Sequence, residues 1–131
     1  MQPFLARCAA VVFLGPLVIV ACHQPPTASK VVCLEYAAPA IAASVREAAT
    51  GTLAIGALVT ATEGTYLDSA RVRAVASDVG LAYERPGTYA VTASKEGYAI
   101  ARAAGVRVTA DQCHVLTVHV TFDLKPLQGP P

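Results

Sequence analysis

His114 and His119 are the two histidines close enough in the chain to share a metal ion, five residues apart in its last apolar run. Two imidazoles on one strand form a ligand pair when their spacing is even, because alternate side chains face the same way. A spacing of five is odd and sends the rings to opposite faces. His114 shares parity with Leu116, Val118, Val120, Phe122 and Leu124, the expected core set, and His119 with the wet positions Thr117 and Thr121. Without a bulge to realign them, no metal site is expected, and His23 lies apart, in a proline-containing stretch. Nucleophilic chemistry has no better footing. There is no Gly-x-Ser-x-Gly, and Ser44, Ser69, Ser77 and Ser94 have no neighbouring histidine. Glu63, Asp68, Asp78, Glu84, Glu96 and Asp111 fall mostly at turns, where solvation accounts for them. A calcium ion there would need oxygen ligands converging from several loops. No catalytic residue, cofactor or metal is therefore expected.

The elements that would position such groups are strands. Between Gly87 and Leu124 two hairpins are expected in series. Tyr89, Val91 and Ala93 alternate with Ala90, Thr92 and Ser94, and Leu116 to Leu124 alternate with Thr117, His119, Thr121 and Asp123. Period-two patterning gives one buried and one wet face. Lys95-Glu96-Gly97 and Ala110-Asp111-Gln112 supply polar turns, and Tyr98 to Val108 is extended with a bulge or bend near Ala99 to Ala104. Upstream, Leu53 to Thr62 reads as a buried strand and Thr65 to Asp68 as the far arm of its hairpin. Arg71 to Val75 and Leu81 to Glu84 are weaker strand candidates around a loop at Ser77-Asp78-Val79-Gly80. Val31 to Tyr36 reads as a short lead-in strand. Ala37 to Thr50 is ambiguous: its alanines favour helix, while Ile41, Ala43 and Val45 alternate as in a strand. The total is about seven short strands with turn signals between them, an all-β antiparallel sandwich.

The N-terminus follows a different logic. After Arg7, Cys8 to Ala21 is an uncharged, mostly apolar run of about 14 residues, the length of a signal-peptide core and short of the ~20 needed to span a bilayer. It ends in Ile19-Val20-Ala21-Cys22, which resembles the lipobox of bacterial lipoproteins. The resemblance implies a signal peptide at 1–21, a diacylglyceryl group on Cys22 and a further acyl chain, such as palmitate, on its amine. Two or more chains anchor stably where one does not. By resemblance to enterobacterial sorting rules, His23 in place of an aspartate implies the outer membrane in a cell with two membranes. The alternatives are an ordinary secretory signal, with Cys22 a bystander, or an uncleaved anchor. The tether at 22–32, with Pro25-Pro26, suits extended chain.

Discarding Cys8 with the signal and Cys22 to lipid leaves Cys33 and Cys113, expected to pair in the oxidising compartment an exported domain meets. Two free thiols or a metal pair are the alternatives. Cutting after Ala21 leaves 110 of the 131 residues, one domain with a core able to fold alone. The 10 Lys and Arg against 9 Asp and Glu include Arg7 of the signal, so the mature chain is near neutral and lacks the basic stripe of a nucleic-acid binder.

The order Thr50-Gly51, Glu63-Gly64, Pro86-Gly87-Thr88-Tyr89-Ala90-Val91, Gly97-Tyr98, Cys113-His114-Val115 and Leu124-Lys125-Pro126 resembles the carboxypeptidase regulatory-like domain. The resemblance covers Ile41 to Pro126 and implies a transthyretin-like (prealbumin-like) Greek-key sandwich with Ile41 to Glu47 as first strand. The domain would run over 33–126, with a disordered tail at 127–131. In that family the domain is generally non-catalytic and assists folding or mediates contacts. Gly87 and Gly97 are expected to supply turn conformations, and Tyr89 and Tyr98 to serve as core or tyrosine-corner residues rather than ligand-stacking ones. Two enzymes share a related sandwich. Intradiol dioxygenases need a close histidine pair for iron, and hydroxyisourate hydrolases end in Tyr-Arg-Gly-Ser; neither pattern occurs here. The expected function is a structural or protein-interaction module held to the membrane by its lipid, with an envelope protein as partner. A carbohydrate- or peptidoglycan-binding module of the cell wall is the alternative, weakened by the absence of Trp.

Overall fold

The computed structural model describes residues 30–128, so the lipobox, Cys22 and most of the tether lie outside the described residues. Seven strands form two sheets: β1 (Ile41–Glu47), β2 (Leu58–Glu63), β3 (Tyr66–Arg71), β4 (Asp78–Leu81), β5 (Gly87–Ser94), β6 (Ala101–Val108) and β7 (Val118–Leu124). One sheet has the order β4-β1-β7 and the other β3-β2-β5-β6. The architecture is the all-β sandwich expected. Every pairing is antiparallel except β1 with β7, which is parallel over Ile41–Glu47 against Val118–Leu124.

β1 resolves the ambiguous alanine-rich segment in favour of a strand. Helix propensity amounts to a few tenths of a kcal/mol per residue, whereas Ile41, Ala43 and Val45 are fully buried on one face. Sitting between β4 and β7 also satisfies the backbone on both sides. The interior is unusually rich in alanine: Ala40, Ala43, Ala54, Ala57, Ala61, Ala82 and Ala93 are all fully buried. Small residues leave the larger side chains of Tyr89, Ile41, Leu81 and Leu124 to fill the space between sheets. Tyr89 is the largest fully buried side chain.

Several expectations need correction. The apolar run from Leu53 is not one strand. Gly56 takes φ +84°, Ala57 N–H closes a turn onto the Ala54 carbonyl at 3.0 Å, and β2 begins only at Leu58. Before the turn, Ala54 N–H donates to Val45 of β1, so the run serves both sheets in succession. The loop expected at Ser77 to Gly80 is instead largely β4, paired with Ala42 to Ser44 of β1. Gly80 belongs there because the Tyr83 ring lies where a Cβ would project. Val31 to Tyr36 forms no strand and is exposed. The second hairpin is cut short: Ala110 bridges Val115 and Leu116 N–H donates to the Thr109 carbonyl at 2.7 Å, after which β7 leaves β6 and joins β1. Val118 N–H donates to the Ala40 carbonyl at 2.9 Å and Thr117 Oγ1 to the Pro39 carbonyl at 2.7 Å, docking its start on the other sheet. Leu116, expected in the core, is half exposed.

Other local readings match. The Lys95-Glu96-Gly97 turn closes with Gly97 at φ +79°. The register of β5 on β6 slips between Tyr89–Val106 and Val91–Ala103, a bulge centred on Ala104-Gly105 with Gly105 at φ +67°. Beyond β7 the chain stays tied: Ala99 N–H donates to the Lys125 carbonyl and Leu127 N–H to Gly97.

Candidate functional site

The strongest convergence of polar side chains lies where the chain enters the sandwich. Cys33 and Cys113 are joined, S–S 1.95 Å and Cα–Cα 5.3 Å, across a sequence separation of 80. Beside the bridge, His114 is 16% exposed. Its Nδ1 lies 2.8 Å from Glu84 Oε1 and its Nε2 lies 2.9 Å from the Leu34 carbonyl. Both partners are acceptors, and a neutral imidazole has only one N–H, so the geometry calls for the doubly protonated ring. The bond to Glu84 accordingly raises the His114 pKa above its ordinary value, against the opposing effect of burial. Tyr36 stacks on the same ring at 4.3 Å.

Glu84 is the hub. Oε1 also accepts from Ala38 N–H at 2.6 Å and Oε2 from Val115 N–H at 3.3 Å. These bonds, that of Ala38 foremost and then that of His114, hold its pKa below the usual carboxylate range. Glu84 sits at φ +52°, two residues after Ala82 at φ +53°, in a region few L-residues adopt. Asp111 Oδ1 closes the turn before the cleft by accepting from the Cys113 and His114 N–H groups at 2.7 and 2.9 Å. Three separate segments, 33–38, 84 and 111–115, are thus clamped by one carboxylate, one imidazolium and one disulfide.

As chemistry, the cleft is closed on itself. A histidine acting as general base needs a ring nitrogen free for its substrate, and both nitrogens of His114 are engaged. His119 is exposed on β7, whereas His114 precedes that strand in the turn segment before Val118, so strand parity does not relate the two rings. Among the described residues no group of three or more His, Cys, Asp or Glu is placed to hold a metal.

The motif residues form a second cluster at the start of β5. Tyr89 Oη donates to the Arg85 carbonyl at 2.6 Å, four residues upstream, the geometry of a tyrosine corner. Arg85 Nη1 returns a bond to Tyr89 Oη at 2.9 Å, pairs with Glu63 Oε2 at 2.5 Å, and its guanidinium lies 4.0 Å from the Tyr66 ring centroid. Glu63 Oε1 accepts from Thr88 N–H at 2.6 Å. Gly87 has a different reason from the one expected. It is not in the left-handed region; a Cβ there would stand 2.5 Å from Glu63 Oε1. Gly97 does need its positive φ. Tyr98 is no corner but packs against the core, in a bridge opposite Pro126 with Lys95 Nζ 5.1 Å from its ring centroid.

The cysteines and Tyr89 stand out in the sequence, whereas Glu63, Glu84 and Asp111, expected only to be solvated, are acceptors for backbone N–H groups. The available signal was Asp111 two residues before Cys113, an Asx-turn spacing. Nothing local pointed Glu84 toward Ala38 or Val115. In comparisons with known proteins, no family model matches the chain and no curated protein matches it significantly.

The clamp sets a pH dependence. The His114 pKa is raised on folding, so its contribution is complete below the ordinary value of 6.5 and is lost as pH rises through the raised value. The Glu84 pKa is lowered, so its contribution is present above 4.5 and is lost as pH falls through the lowered value. Thermal melts are therefore expected to show a decline on the alkaline side that His114→Gln lacks. An identical alkaline decline in that variant would assign the effect elsewhere.

Proposed function

We propose that the chain is an exported lipoprotein, anchored through Cys22, whose carboxypeptidase regulatory-like sandwich is a non-catalytic structural or protein-interaction module of the bacterial envelope. The observation that carries this is the stapled entrance. The Cys33–Cys113 bridge, with its neighbours Leu34 and Tyr36 on His114, fixes the incoming chain to the approach to β7. A tether pulled from a membrane would deliver its load to this covalent point instead of to strand hydrogen bonds. The disulfide also fits an oxidising compartment. Further support comes from the polar clusters, whose groups are spent on backbone partners and on one another.

The test is a pull-down with the chain beginning at His23, alongside assays for hydrolase activity. Reproducible recovery of particular envelope proteins with no turnover is the expected result. Co-sedimentation with purified peptidoglycan, without protein partners, would replace the protein-interaction role by cell-wall binding. Turnover would overturn both.

A further inference from the structure

The near-neutral net charge conceals a segregation. Four carboxylates are spent as acceptors of backbone N–H: Glu63 from Thr88, Asp68 from Ala82, Glu84 from Ala38, and Asp111 from Cys113. The outer face of the β3-β2-β5-β6 sheet shows the complement. Val59, Ala61, Tyr89, Val91 and Ala93 point into the core, so the alternate positions point out. Along one cross-strand row these are Ser69, Thr60, Thr92 and Arg102. Arg107 stands opposite Thr88 on the next stretch of β6, and Arg71 opposite Leu58 at the far edge. All three arginines are exposed. Glu63 and Asp68 are the two carboxylates on these strands, and both take the inward parity.

The strand positions of this face therefore present guanidinium and hydroxyl donors over a span of roughly 14 Å by the spacing of four strands and carry no outward carboxylate; at its far edge Arg71 donates to the Gly56 carbonyl at 3.0 Å and shares a depression with Lys95 and Glu96 of the β5–β6 turn, so the free cationic charge lies on Arg102 and Arg107. No tyrosine or phenylalanine points outward from these strands to stack a base or a sugar ring, since Tyr66 and Tyr89 also take the inward parity. Leu67, 64% exposed at the β3 edge, and Leu58 on β2 add apolar side chains. Cationic charge and hydroxyl donors complement the phosphate oxygens of lipid headgroups. We infer that this face docks on the surface of an anionic phospholipid bilayer, laying the four-stranded sheet against the membrane. The inference deepens the lipid-anchored reading, which puts such a surface within reach of the domain.

The chain from His23 to Pro131 serves as the probe, because it retains all seven strands, the core cluster and the disulfide. It also lacks Cys22, so flotation with vesicles reads the face alone. Partitioning onto phosphatidylglycerol vesicles is expected to exceed that onto phosphatidylcholine at least tenfold and to fall with salt. Each arginine near an anionic leaflet adds about 1 kcal/mol, or about fivefold. Arg102→Gln with Arg107→Gln should thus lower partitioning about 25-fold without altering the melting temperature. Arg46→Gln, on the outer face of the other sheet, should leave it unchanged. Equal partitioning onto both vesicle types, none onto either, or an Arg46→Gln loss as large as that of the β6 pair would overturn the inference. Displacement by millimolar inorganic phosphate would also overturn it, in favour of a discrete anion site. A lost anchor would instead show in the mass of the native protein and leave the vesicle result standing.

Discussion

Tyr89→Ala is expected to remove about 3–5 kcal/mol of stability, a large share of the roughly 5–15 kcal/mol that holds a domain of this size folded. Tyr89 is 1% exposed and is the largest fully buried side chain, set among Ala61, Ala93 and other alanines that cannot grow to fill the void. Its loss also removes the edge-on contact with Tyr66, centroids 6.2 Å apart. Tyr89→Phe separates volume from hydrogen bonding. The phenylalanine keeps the packing but leaves the Arg85 carbonyl without its donor and the guanidinium without one acceptor. A cost of about 1–3 kcal/mol is expected. Urea unfolding at unchanged m-value measures both variants. A silent Tyr89→Phe would mean that the corner is packing alone.

The second large effect is expected from Cys33→Ser with Cys113→Ser. A bridge across 80 residues restricts the unfolded chain by up to ~4.5 kcal/mol in the loop-entropy picture. Loss of about 2–4.5 kcal/mol should lower Tm by roughly 10–20 °C for a domain of this size. The variant also releases a segment that has no strand of its own. Leu34 and Tyr36 would then be held only by His114, so protease cleavage near residues 31–36 should precede global unfolding. Cleavage elsewhere first would show that the bridge serves the core and not the entrance.

The fold was legible wherever a strand declares its own parity. β5 and β7 alternate plainly, and Gly97 and the Ala104-Gly105 bulge announce their bends. What a strand pairs with is not written in its own residues. β7 has the same pattern whether it returns along β6 or crosses to β1, and the choice rests on Val118 and Thr117 finding Ala40 and Pro39. β4 was hidden because Ser77, Asp78 and Gly80 have loop composition, while its pairing with β1 and the Tyr83 ring over Gly80 are tertiary facts. The Leu53 run looked continuous because apolar residues serve either sheet equally well. Of the candidate site, the cysteine pairing followed from counting, and Tyr89 from its place in a motif. Glu84 was invisible because its partners lie about 30 and 46 residues away, and local spacing carries no such distance.

The central claim, an anchored and stapled module, is tested most directly by the intact mass of the native protein extracted from membranes, before and after reduction and alkylation. A mass of residues 22–131 plus acyl groups, with Cys33 and Cys113 alkylated only after reduction, is the expected result. An unacylated chain would remove the anchor, and alkylation of Cys33 and Cys113 without reduction would remove the staple.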